Sequence, residues 1–183
     1  MKIQSTVFSL SLFICTARLL SGSVYDYTVP GIEGGTQQLS AYQGKKILVI
    51  TLPVSQNASA DSLLYSLDTL ATAHASELKV IAVPGIEDGF ATTNKAQLVQ
   101  WYRSKLGSNI LITDGIYTRK TSGTQQHPLF KWLTSSDQNE VFDIDAAGPG
   151  YKFISNSSGQ LYGVLKPHSK VWGSSVQRTL SIQ

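Results

Sequence analysis

The chain has 183 residues, 42% of them hydrophobic, with 15 basic residues against 12 acidic ones and a single cysteine. This length and composition describe one ordinary globular domain with enough apolar residues for a core. Lys2 and Arg18 fall in a leader-like N-terminus, so the remaining charge is nearly balanced, and no Lys/Arg cluster forms the stripe that a nucleic-acid partner needs.

Residues 1–22 read as an export signal, leaving 23–183 as a single domain. Lys2 is a short positive start, Val7 to Ile14 an apolar run, and Cys15-Thr16-Ala17 or Leu20-Ser21-Gly22 supply small residues for cleavage. The apolar run is too short to span a bilayer. Two alternatives are an N-terminal helix of the folded domain and lipoprotein anchoring through Cys15, against which the bulky Ile14 argues. The expected location is therefore outside the cytosol, periplasmic or secreted. Cys15 is the only cysteine, so the mature chain is expected to have no thiol, no disulfide and no thiolate zinc site. His74, His127 and His168 lack ligand spacing and read as surface or capping residues, so no metal is expected.

Val24 to Val29 alternates and reads as a strand ended by Pro30, with Gln37-Gln38-Leu39 returning after a Gly34-Gly35 turn. Ile47 to Leu52 is a continuous apolar run stopped by Pro53, the pattern of a buried strand. A polar loop, Val54-Ser55-Gln56-Asn57-Ala58, leads into a helix over Ser59 to Ala75. Leu63, Leu64, Leu67, Leu70 and Ala71 give that helix one apolar face. Leu78 to Val83 is a second buried strand, and strand, helix, strand implies a right-handed parallel crossover. A loop at Pro84–Gly89 precedes a helix over Asn94 to Leu106, with Gly107 as its C′ residue. Asn109 to Thr113 is short and β-like, and Lys120 to Gln126 is polar loop. His127-Pro128 starts a helix whose Leu129, Phe130, Trp132 and Leu133 read as core. Asp137 to Pro149 is irregular. Tyr151–Asn156 and Gln160–Leu165 flank Ser157-Ser158-Gly159 as a hairpin, and Val171 to Ile182 is a final amphipathic helix. Asn57-Ala58-Ser59 and Asn156-Ser157-Ser158 are glycosylation triplets of a kind that arises often by chance.

Several stretches resemble glutathione peroxidases. Tyr25-Asp26-Tyr27-Thr28-Val29, the Gly-Gly turn, Leu39-Ser40-Ala41-Tyr42 and Gly44-Lys45-Lys46 are similar to that family's opening. His127 to Leu133 resembles its Pro-Leu-aromatic-Lys-aromatic-Leu helix, and Lys152-Phe153-Ile154 its Lys-Phe-Leu hairpin segment. The similarity runs from about Val24 to Leu180. It implies an α/β, thioredoxin-like fold: a central mixed β-sheet flanked by helices.

The resemblance also implies where a catalytic site belongs. The family's cysteine or selenocysteine falls at Gln56 when counted without gaps from Gly44, and a one-residue shift gives Ser55 or Asn57. Its glutamine position leads to Glu87, and its tryptophan and asparagine fall at Gly148 and Pro149. Peroxide reduction needs a thiolate or selenolate that becomes a sulfenic or selenenic acid, with amide and indole donors holding the anion. None of the four positions supplies these groups. No catalytic residue and no cofactor is therefore expected. The loops Pro53–Ala58, Pro84–Gly89 and Ala146–Gly150 are expected to converge on a polar pocket without a redox group. In that loop Glu87 and Asp88 read as solvated surface charges. Two functions follow. One is an exported binding or scaffold protein holding an unknown protein or small molecule on the former active-site face or an aromatic surface near Trp132. The other is a glutathione peroxidase family oxidoreductase active in the oxidative stress response.

Overall fold

A computed structural model describes residues 22–182. The leader and Cys15 lie outside the described residues, apart from Gly22. Two short strands, β1 (Thr28–Pro30) and β2 (Thr36–Gln38), form an antiparallel hairpin. The main sheet follows: β3 (Lys46–Leu52), helix α1 (Ala58–Ala73), β4 (Leu78–Pro84), helix α2 (Lys95–Lys105) and β5 (Leu111–Ile112). Helices α3 (Pro128–Thr134) and α4 (Ser136–Asn139) come next, then β6 (Lys152–Ser155), β7 (Leu161–Leu165) and α5 (Ser174–Ser181). The five strands lie in the order β5-β4-β3-β6-β7. β3 and β4 are parallel neighbours in register from Lys46↔Leu78 to Leu52↔Pro84, β5 is parallel to β4, and β6 and β7 are antiparallel. This is the mixed sheet expected from the sequence.

Strand alternation sorts the core into two layers. Leu48, Ile50, Leu52, Val80, Ala82 and Ile154 pack under α1, α2 and α5. Ile47, Val49, Ile81, Val83 and Phe153 face α3 and the N-terminal hairpin. Both faces of β3 and β4 are therefore covered, which is why their sequences read as unbroken apolar runs. Among the described residues no helix is long and apolar enough to cross a membrane.

Local chemistry shifts several boundaries. Val24–Asp26 is a 3-10 turn rather than strand, because the Ser23 hydroxyl accepts from Tyr25 N (3.2 Å) while the Asp26 carboxylate accepts from Ser23 N (2.8 Å). The last helix begins at Ser174, not Val171, because Gly173 is extended at its N-cap. Gly107 is not a left-handed C′ residue; α2 ends in extended backbone at Leu106, and the Gly107 amide donates to Asp68 Oδ1 (2.8 Å). Trp132 is 1% exposed and packs against Tyr27 in a tilted pair, so it is core and offers no aromatic surface.

Candidate functional site

The sheet register brings three loops to one end. β3 and β4 are parallel and finish level at Leu52 and Pro84, while antiparallel β6 begins opposite Ile50. Their connections, residues 53–57, 85–94 and 140–151, leave from that same edge. A β-carbon on Gly89 would lie 3.5 Å from Val54 Cγ2, so the first two loops touch. The third is tied to β3 through Thr51. The buried Thr51 hydroxyl donates to Gly148 O (2.8 Å) and accepts from Tyr151 N (2.9 Å). Its main chain adds bonds to Tyr151 O (3.0 Å) and from Gly150 N (2.7 Å).

The α1 entry loop is a cap. Asn57 is the N-cap residue, and its Oδ1 accepts from Ala60 N at 2.9 Å. Ser55 and Gln56 are exposed beside it. Gly148 is buried at φ 140°, and Pro149 is exposed, so neither places a donor side chain at this end.

Glu87 does different work from that of a solvated charge. It sits in the 3-10 turn Ile86–Asp88, and its carboxylate accepts from Thr118 N (2.9 and 3.1 Å), Arg119 N (2.8 Å) and Ser122 Oγ (2.6 Å). Burial pushes this carboxyl up, but the donated hydrogen bonds outweigh it and hold the pKa below the ordinary glutamate value. Asp88 pairs with Arg119, with only 7% of its own side chain exposed. Both acids therefore serve residues 118–122, which lead into the 3-10 helix Lys120–Gln125 and whose polar sequence hides the need for an acceptor. Glu87→Ala is expected to cost about 1–3 kcal/mol, because it orphans the amide of fully buried Thr118. With the folded pKa depressed, the native contribution is complete above the unfolded value and is lost as pH falls through the folded one. Urea unfolding at neutral and acid pH should show the gap between native and variant closing in acid.

A cavity of about 730 Å³ lies between the first turns of α1 and the segment Pro167–Trp172. Ser59, Ser62 and Ser66 line it from α1, and Lys152 forms part of its wall. Lys152 is fully buried at the start of β6. Its Nζ donates to Gly150 O (2.7 Å) and lies 3.5 Å from Lys166 O. Burial pushes the amine down to about 8. Sequence reasoning met Lys152 only as part of a hairpin pattern. The signal that could have found it is strand alternation, since Ile154, two residues on, is on the α1 face of the core.

Comparison with solved structures places this architecture. The apo crystal structure of Trgpx superposes with a TM-score of 0.64 at 18% identity, covering 87% of this chain and 94% of that one. T. cruzi GPX1 gives 0.64 at 16% identity over 87% and 94%. The exposed lipoprotein thioredoxin Etrx1 of Streptococcus pneumoniae gives 0.53 at 18% identity over 84% and 96%. The fold is thioredoxin-like. No protein-family model and no curated protein sequence matches the chain.

Proposed function

We propose that this chain is an exported protein of glutathione-peroxidase-like architecture that has lost peroxide reduction and works by binding. The observation that carries the reading is the α1 entry loop, where a thiol chemistry needs its nucleophile. That loop holds Ser55, Gln56 and Asn57, and Asn57 is spent on capping the helix. A carboxamide cannot ionise or be reversibly oxidised, and a hydroxyl is no two-electron reductant of peroxide. Gly148 and Pro149 bring no side-chain donor, and the Glu87 carboxylate is committed to residues 118–122. Export rests on the charged and apolar order of Lys2 to Ile14, and the name of the exposed pneumococcal lipoprotein supports it.

The test is turnover of hydrogen peroxide and an organic peroxide by purified protein, with glutathione or a thioredoxin as reductant. The expected result is no rate above buffer. Gln56→Cys is expected to create a titratable thiol whose pKa is lowered at the α1 N-terminus. Its oxidation should be slow, because no donors at 148 and 149 stabilise the separating charge. Robust turnover by the unmodified protein would overturn the reading in favour of an oxidoreductase of the oxidative stress response.

A further inference from the structure

The cavity beside α1 has an unusual charge arrangement. Lys152 is 0% exposed, yet among the described residues no carboxylate pairs with it; its polar neighbours are the carbonyls of Gly150 and Lys166. A buried cation without a counter-ion is costly and is normally neutralised or paired. No acidic side chain lines the cavity, while Lys170 adds a second positive charge to the wall. The acids of α1 are engaged elsewhere: Asp61 accepts from Trp101 Nε1 (2.7 Å), and Asp68 from the Gly107 amide. The other side of the cavity is apolar, from Leu63, Val171 and Trp172. Trp172 is 47% exposed, one of few large apolar side chains left open to water among the described residues. The volume lies within the range of small-molecule sites, which pair an apolar lining with a few placed polar groups.

We propose that this cavity binds a small organic monocarboxylate, its carboxylate seated on the serine hydroxyls of α1 against the wall that the buried Lys152 ammonium charges, its apolar body against Leu63, Val171 and Trp172. The inference deepens the binding reading above and rests on it. Lysines without any arginine suit a carboxylate headgroup better than a bidentately clamped phosphate. The bound anion supplies the charge partner that the protein itself withholds.

Octanoate, followed by titration calorimetry on the full chain, is the probe, with 1-octanol as the neutral control. Octanoate is expected to bind at least about tenfold more tightly than 1-octanol. Above pH 8 its affinity should fall about tenfold per pH unit as Lys152 loses its proton, while octanol binding stays flat. Lys170 shares the cavity wall with Lys152, Tyr151 is the chain neighbour of Lys152, Lys166 and His168 lie on the segment whose Lys166 carbonyl it meets, and the paired residues of β3 carry no titratable group. His168→Gln should therefore keep the fall. Lys152→Met should abolish the preference for the anion. Ser62→Phe, on the exposed face of α1, should block both probes without disturbing the core. Equal binding of octanoate and octanol, no octanoate binding at millimolar concentration, or unchanged binding by Ser62→Phe would each overturn the proposal. Peroxide turnover measured on the same preparation tests the binding reading separately, so the two can fail independently.

Discussion

Lys152→Met is expected to unfold at a higher temperature than the native chain at pH 7, a rise of about 2–10 °C. The reason is the cost of keeping an ammonium in the core. Burial pushes the Lys152 amine down to about 8 from an ordinary 10.5, a difference worth about 3 kcal/mol against the folded state. The sign follows from proton counting. Below pH 8 both states hold the proton and the native chain carries the whole penalty. Between 8 and 10.5 the unfolded chain binds more protons than the folded one, so native stability rises with pH. Above that range the penalty is gone. Methionine has a similar reach and no charge, and replacing buried charges with apolar groups is often stabilising. Part of the gain is offset by the hydrogen bond lost to Gly150 O. Thermal melts from pH 7 to 10.5 should show the two proteins converging as pH rises. A variant that melts lower than native at every pH would mean that the Gly150 and Lys166 carbonyls more than compensate the charge.

Phe153→Ala is expected to be among the most damaging single changes, costing about 3–5 kcal/mol. Phe153 is fully buried on β6, and its ring meets Phe130 of α3 edge-on, centroids 6.0 Å apart at 82°. Truncation removes that pair as well as the transfer energy of the ring and leaves a cavity between sheet and helix. Such a loss is a large fraction of the total stability of a domain this size. Tyr65→Ala, at 72% exposure on α1, serves as the control and should stay within about 0.5 kcal/mol. Urea midpoints of the three proteins decide the matter. A Phe153→Ala midpoint close to native would mean that α3 closes onto the sheet.

What the sequence discloses about this fold follows burial. Ile47–Leu52 and Leu78–Val83 are legible because both faces of each strand are covered, which leaves no polar residue to blur the run. The placement of β6 beside β3 is not visible in any periodicity and follows only from the likeness to glutathione peroxidases. At Val24–Asp26 the alternation misleads, because two short side-chain hydrogen bonds from Ser23 and Asp26 decide the backbone. The candidate site is legible by position but not by partner. The convergence of the loops at 53, 84 and 148 follows from the likeness to glutathione peroxidases. The engagement of Glu87 with the amides at 118 and 119 spans 31 and 32 residues and leaves no local mark. Lys152 is hidden for the same reason: a lysine at a strand start normally reads as solvated, and only tertiary packing removes its water.

The Thr51 clamp has a consequence for any attempt at reversion. Four hydrogen bonds join Thr51 to residues 148, 150 and 151 and fix the main chain there. Within that grip Gly148 has φ 140° and Gly150 has φ 89°, conformations that residues with a β-carbon rarely adopt. An indole at 148 has open space around its β-carbon but would be held in that disfavoured conformation for as long as the clamp persists. Restoring donors to this end of the sheet is therefore a loop transplant, not a pair of point substitutions, and a cysteine placed at 56 alone stays chemically isolated on a backbone shaped for something else.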